Sequence, residues 1–152
     1  MADANDDTSP NIPISPILSS YSIFNIHGLM PATLPSKVPY VSDLIQENNQ
    51  LFIGLTETWL QNHKDAEVKI DGYSVFRSDR NRKRKSRGRL SGGVAAYVRN
   101  DIANTMEINL QFSNGVVEIL GLYSKTENLY IAIVYRQPDD TSGGHKSTSA
   151  EF

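Results

Sequence analysis

The pattern of apolar and polar positions predicts one helix among about seven strands. Residues 51–55 hold four large apolar side chains and a Gly, which is typical of a strand covered on both faces. Residues 21–26 alternate and are rich in β-formers, so they predict a first strand. Between them Ser36 can cap a helix whose apolar residues share one face, namely Val38, Val41, Leu44 and Ile45. The order predicts a β-α-β unit with a right-handed crossover.

The rest of the chain reads as strands with polar ends. Short strands are predicted at 73–76 and 94–98, and a β-meander at 106–112, 116–123 and 129–135. Residues 1–20 and 139–152 are polar and pattern-free, so they predict a flexible leader and tail around one domain at 21–138. The fold class predicted is α+β, a mixed and mostly antiparallel sheet with the helix on one face. Nothing in the pattern obviously covers the other face.

Composition removes several classes of site. The 152 residues include no Cys, which excludes a disulfide framework, a thiolate zinc site and a cysteine nucleophile. His27, His63 and His145 show no HxH or HxxxH spacing, so a histidine metal site is not indicated. No apolar run approaches the ~18 residues of a membrane helix, and no signal-peptide pattern opens the chain. We expect an intracellular, soluble protein that does not bind membranes.

The net charge of −2 conceals a basic segment at 77–89. It holds eight of the 15 Lys and Arg against one Asp, so it carries +7. Such a run can contact phosphates or nucleic acid, can act as a nuclear localisation signal, or can simply be a solvated loop. No aromatic residue lies in it, so base stacking has no support. The candidate phosphate contacts are Arg82, Lys83, Arg84, Lys85 and Arg87.

Polar side chains at strand ends are the candidates for chemistry. Glu57 follows the buried strand, Asn25 is near the end of the first strand, and Tyr135 and Arg136 end the last. A carboxylate, an amide, a phenol and a guanidinium suit a phosphate and hard-metal site, since Mg²⁺ takes oxygen ligands and Arg pairs with phosphate. The alternatives are a Glu57 that caps or pairs at the strand end, a strand-end aromatic and a solvated charge. The pair Gly92–Gly93 lacks a phosphate-loop context and predicts a turn or bulge.

Five motifs, in order, resemble the endonuclease/exonuclease/phosphatase superfamily, most closely the endonuclease domains of non-LTR retrotransposons. The resemblance covers residues 21–138 and rests on FNIHGL at 24–29, IGLTETWL at 53–60, GYSVFRSDR at 72–80, GGVAAYVR at 92–99 and VYRQP at 134–138.

The resemblance implies a four-layer αββα sandwich that hydrolyses phosphodiesters of DNA with Mg²⁺ or Mn²⁺. By position, Glu57 resembles the metal-binding Glu, Asn25 the Asn beside it, and Tyr135 the Tyr that contacts the scissile phosphate. Arg136 matches a YRPP-like turn in which Gln137 replaces the usual Pro.

The sequence departs from this family after Pro138. Neither a GDFN-like Asp and Asn nor an SDH-like Asp and His follows, so the resemblance covers about the first half of such a domain. We therefore expect a partial sandwich with the second sheet largely missing, without nuclease activity of its own. Its exposed sheet face would be covered by a protein partner or by self-association. The alternative is a non-catalytic module that binds nucleic acid through 77–89.

Overall fold

The computed structural model describes residues 20–80 and 91–138. In these ranges the seven predicted strands and the predicted helix follow the predicted order, and a second helix of one turn, which was not predicted, is present. The strands are β1 (Tyr21–Asn25), β2 (Phe52–Thr56), β3 (Tyr73–Ser78), β4 (Val94–Arg99), β5 (Met106–Ser113), β6 (Val117–Ser124) and β7 (Leu129–Arg136). Helix α1 spans Val38–Glu47 and the single turn α2 spans Asn100–Ala103. A 3₁₀ turn at Asp65–Val68 was not predicted, because four residues carry too little periodicity to detect.

The first sheet has the strand order β1-β2-β4-β3. β1 runs parallel to β2, as the predicted β-α-β unit requires, and the other pairs are antiparallel. Every residue of β2 is buried, which confirms a strand covered on both faces. The register aligns four residues across one end of the sheet, namely Asn25, Thr56, Val94 and Ser78. The loops that leave this end of the sheet therefore lie side by side.

The meander forms a second, antiparallel sheet in the order β5-β6-β7. One core cluster joins α1 to the first sheet through Val41, Ile45, Ile53 and Leu55. The other cluster lies between the sheets and includes Phe52, Ala96, Val98, Leu120, Leu122 and Ile133. Gly54 lets the sheets approach closely, because an added Cβ would lie 3.2 Å from the side chain of Ile133.

The α+β class and the partial sandwich are confirmed. The cover that the pattern did not supply for the first sheet is provided by the meander itself, which folds over the sheet instead of extending it. Hairpin alternation predicts which strands pair, but an apolar inner face such as Leu120 and Leu122 can pack on any apolar surface. The choice of surface depends on long-range packing.

Some of the predicted features lie outside the described residues. They are the leader up to residue 19, the tail from residue 139 and the basic residues between 81 and 90. In the part of the chain that is described, no helix has the length and apolar character needed to cross a membrane.

Candidate functional site

Glu57 lies at the end of β2 in a left-handed conformation. Its φ is +57°, which is uncommon for a residue with a side chain and tends to persist where surrounding contacts hold it. The carbonyl of Glu57 accepts a hydrogen bond from the Gly28 amide at 2.7 Å. The next two amides, of Thr58 and Trp59, donate to Gly93 and Gly92 at 3.2 and 3.0 Å. Backbone bonds to two neighbouring loops thus fix the direction of the Glu57 side chain.

Glu57 is only 8% exposed, and several donors hold its carboxylate. Its Oε2 accepts hydrogen bonds from Trp59 Nε1 at 2.6 Å and from the Gly92 amide at 2.8 Å. Tyr135 supplies another hydrogen bond, and the charge of Arg80 is close. Burial alone would raise the pKa of Glu57, but the bonds from Tyr135, Trp59 and Gly92, with the Arg80 charge, lower it overall. The site therefore holds a fixed, ionised carboxylate.

Tyr135 is a residue of the second sheet that hydrogen-bonds Glu57. It lies on β7. Burial, and to a smaller extent the hydrogen bond to Glu57, raises the pKa of its phenol. The hydroxyl therefore stays protonated and acts as a donor. Arg136, the next residue, is exposed and lies on the opposite face of β7, because successive residues of a strand alternate. The structure thus brings Tyr135 to the carboxylate and places Arg136 on the other side of the sheet.

Asn25 lies at the same end of the first sheet, where its register partner is Thr56. Its side-chain oxygen accepts a hydrogen bond from the His27 amide at 3.2 Å, so it shapes the turn that leaves β1. In that turn the His27 ring meets the Trp59 ring edge to face, with centroids 4.5 Å apart. Asn25 therefore adjoins the site through the loop that packs on Trp59.

Sequence reasoning missed Trp59, Arg80, Gly92 and Glu118 as members of the site. Glu118 left a readable signal, since it is a carboxylate inside an apolar strand. Gly92 was interpreted as a turn, and its φ of +70° agrees, but its amide also donates to Glu57. The bond from Gly92 to Glu57 and the bond from Arg80 to Glu118 join residues 35 and 38 positions apart, whereas Trp59 lies only two residues from Glu57.

Two arginines of the basic segment, Arg77 and Arg80, lie among the described residues. Arg77 is used internally, where it binds Asp65 and Asp79 and donates to the carbonyls of Leu60 and His63. Arg80 Nη1 lies 3.0 Å from Ser91 Oγ, so the two described ends of the 81–90 stretch meet beside Gly92. The predicted contacts Arg82, Lys83, Arg84, Lys85 and Arg87 lie outside the described residues.

The described side chains around Glu57 do not by themselves form a complete set of ligands for a divalent cation. Among the described residues no three His, Asp or Glu side chains converge as ligands. Glu57 Oε2 already accepts two hydrogen bonds, and the other nearby carboxylate, Glu118, is paired with Arg80. Mg²⁺ takes one or two carboxylates together with water and phosphate, so Glu57 could contribute at most one ligand.

The sequence matches no protein-family model and no curated protein. Solved structures with a similar fold include the catalytic domain of human Nocturnin with bound sulfate, with a TM-score of 0.47, 11% identity, and coverage of 78% of this chain and 51% of that one. A Bacteroides thetaiotaomicron mannosyl-6-phosphatase gives a TM-score of 0.39, 14% identity, and 64% and 41% coverage. A protein of the endonuclease/exonuclease/phosphatase family from the same bacterium gives 0.39, 14%, and 64% and 39%. The chain thus spans about half of these structures or less.

Proposed function

We propose that this chain carries part of a phosphodiesterase site of the endonuclease/exonuclease/phosphatase type and does not hydrolyse phosphodiesters by itself. The supporting observation is the Glu57 carboxylate, which donors from three segments of the chain fix at a strand end. The motifs at 53–60 and 134–138 resemble that superfamily at the same residues. A single such carboxylate does not assemble metal-assisted hydrolysis, which needs further ligands and a general base.

In this proposal Glu57 and Tyr135 have distinct roles. The fixed carboxylate would supply one ligand to the Mg²⁺ or Mn²⁺ ion that the resemblance implies, and the described residues do not supply the other ligands. The phenol of Tyr135 has one proton, which it donates to Glu57 in this structure, so it would donate to a phosphate oxygen only after leaving Glu57. Asn25 shapes the adjoining loop. DNA is the substrate class that the resemblance implies.

A nicking assay tests this proposal. Supercoiled plasmid is incubated with the purified 152-residue chain and Mg²⁺ or Mn²⁺, with the Glu57→Gln variant as the matched control. We expect both proteins to give the same background of relaxed plasmid as buffer. Divalent-dependent nicking that is present in the wild type and lost in Glu57→Gln would overturn the claim of inactivity while supporting the role of Glu57.

A second candidate function is nucleic-acid binding through the basic segment 77–89. The observation in its favour is that Arg80 and Ser91, which flank the 81–90 stretch, adjoin the Glu57 site. The six Lys and Arg between them would attract a phosphate backbone to this end of the first sheet. The same run carries the predicted nuclear localisation, which imaging of tagged chains with and without these charges would test.

Salt dependence separates this function from the first. Fluorescence anisotropy with labelled DNA should show binding that weakens steeply between about 50 and 200 mM salt and is indifferent to sequence. Replacing Arg82, Lys83, Arg84, Lys85 and Arg87 by Gln should abolish the binding, while Glu57→Gln and the control Lys69→Gln with Lys125→Gln should not. Binding that ignores salt or survives the five substitutions would exclude this function.

A further inference from the structure

A charged residue is fully buried beside the candidate site. Glu118 is 0% exposed and lies on the inner face of β6, in line with the apolar Leu120 and Leu122. Burying a carboxylate is costly unless it is paired and hydrogen-bonded. Its partner is Arg80, whose Nε donates to Glu118 Oε1 and whose side chain is 11% exposed. The pair therefore connects the loop after β3 with the second sheet.

Arg80 also binds two further segments. Its Nη1 donates to Ser91 Oγ at 3.0 Å and to Gln137 Oε1 at 3.1 Å. Gly92 packs directly against the guanidinium, since an added Cβ there would overlap Arg80 atoms. A single guanidinium thus contacts the segment before β4, the residue after β7 and a carboxylate in β6.

These segments are also the ones that hold Glu57. Gly92 donates its amide to Glu57 Oε2, and Tyr135, which hydrogen-bonds Glu57, is the register partner of Glu118 across β6 and β7. Arg80 therefore packs against Gly92, and Glu118 lies beside Tyr135. Two of the groups that donate to the Glu57 carboxylate thus adjoin this one ion pair.

We propose that Arg80 and Glu118 are positioning residues of the Glu57 site, and that their ion pair holds Gly92 and Tyr135 in donor geometry. This role rests on the proposed function, because the orientation of the Glu57 carboxylate matters only if that carboxylate acts as a ligand. A buried ion pair is a poor way to gain stability compared with packed apolar residues, whereas it can specify one arrangement of the groups around it. The competing explanation is a pair that only stabilises the sandwich.

Hydrogen exchange of two protons distinguishes these explanations without any need for catalysis. The Trp59 indole proton and the Gly92 amide proton both bond to Glu57 Oε2, and Trp59 is the only Trp in the chain. In a ¹⁵N-labelled protein they report the carboxylate geometry directly. The amides of Leu55 in β2 and Ile133 in β7, buried residues of the two sheets, report global opening.

The test uses Glu118→Gln and Arg80→Gln, with Asp101→Asn as the control that breaks the exposed Arg99–Asp101 pair. In both test variants we expect the Trp59 and Gly92 protons to exchange about tenfold faster relative to Leu55 and Ile133, the equivalent of one weakened hydrogen bond to a charged group. Arg80→Lys, which keeps the charge but loses the fork, should give an intermediate effect. Asp101→Asn should leave the ratio unchanged.

Two results would overturn the proposal. One is exchange that rises in proportion at all four protons, which means that the pair is only structural, and the other is no change. If neither charge variant folds, Gln137→Ala decides the question, because Gln137 is exposed and its loss removes only one bond from Arg80. Faster relative exchange at Gly92 then supports the proposal, and unchanged exchange contradicts it. Plasmid nicking does not enter this test, so either proposal can fail alone.

Discussion

At the scale of single residues, the site consists of one buried carboxylate and the groups that stabilise its charge. Trp59, Gly92 and Tyr135 come from different parts of the chain, yet all hydrogen-bond Glu57. The left-handed φ angles of Glu57 and Trp59, +57° and +58°, add local strain that these contacts offset. Glu57 can therefore both connect neighbouring segments and serve as a ligand, because the hydrogen-bond donors fix its carboxylate and keep it ionised.

Stability should depend on pH through Glu57. Its pKa is below the ordinary value of 4.5, so the ionised form stabilises the fold above about pH 4.5, and this contribution is lost as pH falls through the lower folded pKa. The free energy of unfolding of the wild type should exceed that of Glu57→Gln at about pH 6, and the gap should narrow toward about pH 3. Urea unfolding followed by circular dichroism measures this. The exposed Glu47→Gln should track the wild type, and a gap that widens in acid would contradict the prediction.

Replacing Gly92 by Ala should lower the free energy of unfolding more than replacing Gly72 by Ala does. Gly72 and Gly92 both have positive φ, +83° and +70°, but nothing lies within 4 Å of an added Cβ at Gly72. Gly72→Ala should lower the free energy of unfolding by about 1–2 kcal/mol, the cost of a left-handed residue with a side chain. Gly92→Ala should cost about 1–3 kcal/mol more, because its Cβ displaces Arg80. Equal losses in denaturant unfolding would argue against close packing of Gly92 on the guanidinium.

At the scale of elements, the meander has an inner and an outer face, and neighbouring residues of one strand lie on opposite faces. Ile133 is 1% exposed and packs between the sheets, whereas Val134, its neighbour on β7, is 59% exposed. Alternation along β7 therefore decides which substitutions matter. The same alternation directs Tyr135 to the Glu57 site and Arg136 away from it.

Truncating these neighbours tests the packing of the two sheets. Ile133→Ala should lower the free energy of unfolding by about 2–5 kcal/mol, since it empties space against the first sheet. Val134→Ala should change it by about 0.5 kcal/mol or less. Thermal or urea unfolding of both variants measures the difference. Similar values for the two would mean that the meander does not pack on the first sheet through this face.

At the scale of the whole molecule, the outer face of the second sheet stays apolar and exposed in the described residues. It presents Leu110 and Phe112 of β5 and Tyr130 and Val134 of β7, on either side of β6. β1 is an edge strand of the first sheet, and Tyr21 and Ile23 are exposed on it. Exposed apolar faces and uncharged strand edges favour contact with another chain.

The chain should therefore self-associate as its concentration rises. Light scattering after size-exclusion chromatography should show a mass above the 16.9 kDa of one chain, and Phe112→Thr with Val134→Thr should return it to that mass. The double variant should unfold at a similar denaturant concentration, because both side chains are exposed. The control is Thr126→Ala, a change at an exposed polar residue between β6 and β7. A wild type that stays monomeric at high concentration would exclude self-association through this face.

Much of the fold could be predicted from the sequence, and less of the site. The β-α-β unit, the seven strands and the end of β2 at Glu57 all follow from periodicity and turn residues, which act over a few positions. Asn25 and Tyr135 were predicted from their place at strand ends, and the structure brings both to the same end as Glu57. Arg80 and Glu118 could not be paired from sequence, since nothing local links a loop arginine with a strand 38 residues later.

The sequence by itself determined where the strands lie and that no cysteine chemistry is possible. It also determined that a carboxylate follows the end of a buried strand. Only the tertiary structure decided that the meander covers the first sheet, that Tyr135 rather than Arg136 faces the carboxylate, and that Arg80 and Glu118 support its donors. The reason is physical. Local patterns fix which face of an element is apolar, whereas its partner is selected by the free energy of long-range packing, to which the whole chain contributes.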